Sequence, residues 1–225
     1  MRATSLLRGR WWLPVATCLL AAPSLSSSVQ LDRILSRQDT RLMAAQWIEK
    51  NVPSGTRVAL AGTKYGYPRI RRTLPWKQTR LADLQMAGEP ARRLETELRI
   101  GDMAAGPVYD TVELRGGNPQ SLRSVWTGYS VQALQDSGVT WVVTQEHPLP
   151  FSFLPSGFTD DLKQLATRLQ TFDPFVHGEP LPDFDPIDAF YVPFSGLSAV
   201  ERPGPILRIF RLDPNPSASE IDLRG

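Results

Sequence analysis

Glu146 and His147 stand side by side at the end of the run VVTQEH, a carboxylate and an imidazole directly behind a strand-like segment. Ligands of α/β sheets gather at the carboxyl ends of strands, so this pair is the most site-like dipeptide of the chain. An acid and a histidine there would suit proton transfer. The competing reading, a polar strand terminus facing water, carries more weight. His177 lies in a proline-rich loop and ranks below it. Tyr65, Tyr67, Trp76 and Trp126 offer a stacking surface for a sugar or another ring, although packing is the commoner role of such side chains. Asp183, Asp185 and Asp188, with Asp173 and Glu179 upstream, supply the clustered oxygen that hard cations favour. Their spacing departs from the EF-hand loop and Pro186 stiffens the middle, so a solvated acidic loop is expected and no metal is assigned. Gly62-Thr63-Lys64-Tyr65-Gly66 follows a strand but lacks phosphate-loop spacing, and no G-x-S-x-G elbow occurs. No catalytic residue and no cofactor are assigned. The candidate ligand-contacting residues are Glu146, His147, Tyr65, Tyr67 and Trp76.

These residues need elements to hold them. Asp39 or Thr40 can cap a helix whose apolar side is Ala44, Ala45, Trp47 and Ile48. Asn51-Val52-Pro53-Ser54-Gly55 stops it, and residues 57–61 (RVALA) read as a buried strand. Residues 130–137 predict a helix ending at Gly138, and residues 139–144 (VTWVVT) are the clearest buried strand. Residues 91–100 predict a helix and residues 108–114 a strand. Leu162, Leu165, Ala166 and Leu169 predict a helix over 160–170 capped by Asp160. Residues 206–212 (ILRIFRL) alternate apolar and basic side chains, which reads as a half-exposed edge strand. The sum is an α/β domain. It has a small, partly parallel sheet, flanking helices and long proline-rich loops, and one N-terminal hydrophobic helix precedes it.

The chain is long enough for one ordinary domain plus a targeting or anchoring segment, at 225 residues. Its 20 prolines fall mostly in connections, so ordered but irregular loops should be extensive. A formal charge of +2, with arginines scattered and no lysine-rich block, argues against nucleic acid. The single cysteine, Cys18, lies in the hydrophobic segment, so the soluble part must hold together without an internal disulfide. Arg2, Arg8 and Arg10 precede the apolar run 11–22, which places the arginine end in the cytoplasm and the rest outside. A membrane anchor through residues 6–25 and a cleaved signal peptide both suit this pattern. A lipoprotein signal at Cys18 suits it less well. The expected organisation is an anchor or signal segment over 1–30, an extracytoplasmic α/β domain over 31–212 and a flexible tail over 213–225.

The motif D-T-R-x-x-A-x-x-W-I-x-x-N-V-P-x-G-T-x-V (residues 39–58) follows that hydrophobic segment. It resembles the C-terminal end of bacterial GT-C-type membrane glycosyltransferases, the branch of protein O-mannosyltransferases and aminoarabinose transferases. Residues 139–144 are similar to a strand of their extracytoplasmic domain. Residues 191–212, with Glu201-Arg202-Pro203-Gly204-Pro205 before the last strand, are similar to its closing segment. The resemblance implies a single-pass protein of the bacterial inner membrane with its domain on the periplasmic side. It also implies, as partner, a polytopic membrane glycosyltransferase or its glycan acceptor. Those enzymes use polyprenyl-phosphate-linked sugars and keep their catalytic aspartate in a loop between early membrane helices, which has no counterpart here. An accessory role without catalysis is therefore expected. The alternative is an exported ligand-binding or envelope-assembly protein with a cleaved signal peptide. A hydrolase built on Glu146, His147 and the acidic loop would require those groups to converge in one pocket.

Overall fold

A computed structural model describes residues 12–101, 105–115, 130–148, 154–185 and 191–213. In chain order the elements are α1 (Trp12–Leu35), α2 (Thr40–Asn51), β1 (Arg57–Gly62), α3 (Leu74–Met86), α4 (Arg92–Ile100) and β2 (Asp110–Arg115). There follow α5 (Val131–Asp136), β3 (Trp141–Glu146), α6 (Ser156–Leu165), β4 (Ala166–Phe172), a 3₁₀ turn (Leu197–Ala199) and β5 (Ile206–Leu212). The sheet order is β2-β1-β3-β5-β4. β1 pairs in parallel with β2 and β3, and β5 pairs antiparallel with β3 and β4.

The two faces of the sheet are covered by different helices. Ala44, Ala45, Ile48 and Val52, from α2 and its end, pack with Val58, Leu60, Val143, Leu207 and Ile209 on one face. Val131 and Leu134 of α5 and Phe158 and Leu162 of α6 pack with Ala59, Ala61 and Val142 on the other. Adjacent strand residues serve opposite cores, as the two-residue repeat of a strand requires, so β1 and β3 are buried on both sides. Asp39 caps α2 by accepting a hydrogen bond from the Arg41 N–H at 2.8 Å. At its other end the Tyr109 hydroxyl shares its proton between the carbonyl of Ile48, which also accepts the Val52 N–H, and that of Val52, both at 3.2 Å.

Two expectations need correction. The helix expected over 160–170 is half helix and half strand: α6 starts at Ser156 behind Pro155 and ends at Leu165, and Ala166 opens β4. Asp160 is no cap; it pairs with Lys163 inside the helix at 2.8 Å. The apolar spacing continues across the junction, but Leu169 falls at a register shift on β4 and is 38 % exposed. β5 is interior rather than an edge. Its basic alternation reports which face a side chain takes, whereas edge position is decided by backbone pairing, and both of its flanks are paired.

The N-terminal segment is described only in part. Residues 12–25 are helical, but α1 continues through Ser26, Ser27, Ser28, Gln30, Asp32 and Arg33. Among the described residues, no helix is long and apolar enough to cross a membrane. Residues 1–11 lie outside the described set, as do Trp126, Gly116-Gly117, residues 186–190 with Asp188, and the expected tail from 214 onward. The last turns of α1 rest on the domain: Ile34 is buried, and Arg37 beyond it pairs with Glu201 at 2.6 Å.

The two stretches that carry the family resemblance pack on each other. Thr40, wholly buried, donates its hydroxyl to the Pro205 carbonyl at 2.8 Å, and its N–H donates to Pro203 at 3.1 Å. Gly204 closes this contact with a φ of 111°, and a Cβ there would lie 2.1 Å from the Thr40 hydroxyl. The proline-rich excursion from 173 to 205 is otherwise pinned by isolated bridges, Phe175 with Val200 and Asp183 with Ser195.

Candidate functional site

The strand order places β1 between two parallel neighbours reached by crossovers in opposite directions. The crevice at the carboxyl ends of such strands is the usual ligand site of open α/β sheets. Here its centre is filled from within. Gln145, fully buried at the end of β3, accepts a hydrogen bond from the Thr63 N–H at 2.8 Å and donates to the Tyr191 hydroxyl at 2.7 Å. Backbone amide donors of the Gly62–Gly66 turn are the groups a phosphate loop would offer its ligand, and the Thr63 amide is spent on Gln145. Both glycines make room for that side chain: a Cβ at Gly62 or Gly66 would come within 2.7 Å or 2.1 Å of Gln145. Tyr191 holds a left-handed backbone, φ 58°, which costs a non-glycine residue about 1 kcal/mol or more. It is clamped by the Gln145 bond and by the Arg41 guanidinium 5.3 Å from its ring centroid.

Glu146 and His147 diverge from this point. Glu146 forms an ion pair with Arg208 of the adjacent strand β5. His147 instead enters a nest of rings, with centroids 4.3 Å from Phe184, 4.9 Å from Tyr191 and 6.2 Å from Phe175. Burial lowers its pKa from 6.5 to about 4, so the ring is neutral at physiological pH and is ill suited to proton transfer there. Of the acidic loop, Asp183 accepts a hydrogen bond from the Ser195 hydroxyl at 2.6 Å. No group of three or more metal-type side chains comes together among the described residues. The convergence that a hydrolase would need is not found among them.

A depressed histidine pKa has a consequence for stability. The unfolded chain binds the proton below about pH 6.5, the folded one only near pH 4, so stability falls as pH drops through that window. We expect His147→Phe to remove this component. Acid titration of unfolding should show wild type losing up to about 3 kcal/mol more than the variant between those limits. Parallel pH profiles for the two proteins would refute the assignment.

The open space lies to one side, beyond the ends of β1 and β2. A cleft of about 1330 Å³ runs between residues 64–72 and the helical hairpin α3–α4. Thr73 caps α3, and Trp76 in its first turn donates its indole N–H to the Thr111 carbonyl at 2.7 Å. With Arg72 bridging to Tyr109, the start of the hairpin covers the outer edge of β2, which would otherwise be exposed for pairing. Tyr65, Tyr67 and Trp76, three of the five candidates, all line this cleft. Their roles differ. Tyr67 is a core side chain, 6 % exposed, with its hydroxyl 3.3 Å from the carbonyls of Gly62 and Leu114. One face of Trp76 is occupied by the Arg72 guanidinium, 4.2 Å from the ring centroid. Tyr65 alone of the three is open, at 56 % exposure, with Lys64 Nζ 5.1 Å from its ring.

The sequence reading missed the charge of this cleft. Eight cationic side chains line it against the three carboxylates Glu89, Glu97 and Glu113. Several are tied into the fold. Arg41 binds Asp39, which raises its pKa against the opposing effect of burial, and it donates to the Tyr65 carbonyl at 2.7 Å. Arg72 pairs with Glu113 at 2.8 Å, and burial lowers its pKa. Arg93 and Lys77 both approach Glu97, at 3.1 Å and 3.9 Å. Arg71 donates to the Gly106 carbonyl at 2.9 Å. Lys64, Arg69 and Arg80 also face the cleft, and none has a carboxylate partner among the described residues. The local signal was the run Arg69-Ile70-Arg71-Arg72 just after the first strand, hidden in a chain whose arginines look scattered.

Comparison with known proteins adds nothing to this geometry: no family model, no curated protein and no solved structure matches the chain.

Proposed function

We propose that this protein is a membrane-anchored, extracytoplasmic accessory domain that binds rather than catalyses, and that its binding site is the cationic cleft. Its partner would be a polytopic membrane glycosyltransferase, or the glycan that such an enzyme modifies. The observation that carries the reading is the character of α1. It leaves the domain with Leu19, Leu20 and Leu25 each at least 66 % exposed, and its last turns rest on the fold. Residues 6–25 would form the anchor, with Arg8 and Arg10 reaching the headgroups. Support for a binding role comes from Glu146 and His147, which are engaged in an ion pair and a ring nest.

The shortness of the apolar stretch favours a second reading, an exported ligand-binding or envelope-assembly protein with a cleaved signal peptide. Cleavage near residue 28 would leave Ile34 and Arg37 in place against the domain. Membrane fractionation with sequencing of the mature N-terminus separates the two. An intact N-terminus in the membrane fraction is expected, and a soluble protein starting near residue 28 would sink the anchored reading. Pull-down from detergent-solubilised membranes should then recover the transferase; recovery of no such enzyme would remove it as partner.

A further inference from the structure

We infer that the cleft between residues 64–72 and the α3–α4 hairpin is a binding site for a phosphoryl group, with Lys64, Arg69 and Arg80 as its charge-recognising side chains. This rests on the cleft being the binding site, and not on the anchoring of α1.

Three features of the cleft support a phosphoryl ligand. A set of cations left over after internal pairing is costly to hold together, because like charges in a concave, partly apolar wall repel. Lys77 and Arg93 converge on Glu97, and Arg72 takes Glu113, so two of the three lining carboxylates are already engaged, and Glu89 alone faces the remaining cations. The charge of Lys64, Arg69 and Arg80 is available for a ligand of opposite sign. The cations are mostly arginines, whose planar forks match the oxygens of phosphate better than a point charge does. The walls are also amphiphilic: Ile70, Leu84, Leu94 and Ile100 line the same cleft as the cations. Tyr65 adds an open ring beside Lys64. An anionic head with a less polar remainder suits that combination, either a lipid headgroup or a soluble phosphate ester.

The test uses the purified full chain in detergent, titrated calorimetrically with inorganic pyrophosphate, glycerol 3-phosphate and short-chain phosphatidic acid. Binding of pyrophosphate is expected, weakening steeply with salt. The triple variant Lys64→Ala, Arg69→Ala, Arg80→Ala should bind at least about tenfold more weakly, since each lost charge-assisted contact is worth a factor of this order. Arg168→Ala, on the exposed side of β4, should bind as wild type does. Unchanged thermal melting will show that the triple variant is folded. Tighter binding of phosphatidic acid than of glycerol phosphate identifies the lipid source; equal binding identifies the free ester. No binding of any probe overturns the phosphoryl assignment, as does binding that the triple variant retains. A duplex oligonucleotide that outcompetes pyrophosphate would also overturn it, in favour of nucleic acid. None of these failures bears on membrane fractionation, so they remain distinct from failure of the anchored reading.

Discussion

Gly204→Ala is expected to lower the melting temperature by about 10 °C, a loss of about 3 kcal/mol for a domain of this size. Two costs add. The φ of 111° lies where side chains are strained, at about 1 kcal/mol or more. The new methyl also meets the Thr40 hydroxyl at 2.1 Å, Asp39 Oδ1 at 2.8 Å and the Thr40 nitrogen at 3.1 Å. Relief requires moving the start of α2 away from the segment before β5. That breaks the buried bond from Thr40 to Pro205 and disturbs the Asp39 cap. Thermal unfolding of the two proteins reads the result. A shift under about 3 °C would mean that the contact yields easily and does not clamp the two segments together.

The second large effect is a coupling. Gly66→Ala places a methyl within 2.1–2.5 Å of three atoms of Gln145, a buried side chain held by Thr63 and Tyr191. We expect a loss of about 3 kcal/mol, the upper range for overpacking. Gln145→Ala alone should also destabilise, by about 2 kcal/mol, since it takes a bond each from the Thr63 amide and the Tyr191 hydroxyl. In the double variant the added methyl occupies space that the glutamine has left. The two losses should therefore fall short of their sum by 1 kcal/mol or more. Denaturant unfolding of all four proteins measures this, and strict additivity would rule out Gln145 as the reason a glycine stands at 66.

The same network shows why fold and site were unequally legible. The cap read at Asp39 or Thr40, the stop at Pro53, β1 and the helix α5 before Gly138 are local signals and are found, while β3 starts two residues later than the expected 139–144. Pairing and partnership are not local. The position of β5 inside the sheet depends on backbone bonds to two strands, and no side-chain pattern of its own records that. Glu146 and His147 are adjacent in sequence, yet β3 ends between them, and one found Arg208 while the other found Phe184. The cleft was half visible: its aromatics were named. Its cations come from α2, the β1–α3 loop and the hairpin, and separation along the chain conceals their gathering in space.

The interior position of β5 also governs when the domain can form. Among the described residues β4 pairs only with β5, and Thr40 at the start of α2 donates to the carbonyls of Pro203 and Pro205, so two of the five strands and these bonds of α2 wait for the last strand to be made. Such long-range closure is slow, and synthesis proceeds vectorially from the N-terminus. Until residues 206–212 emerge, β3 has one open flank and the nascent chain cannot lock. The topology therefore defers closure of the sheet until the strand written last in the sequence can take its place between β3 and β4.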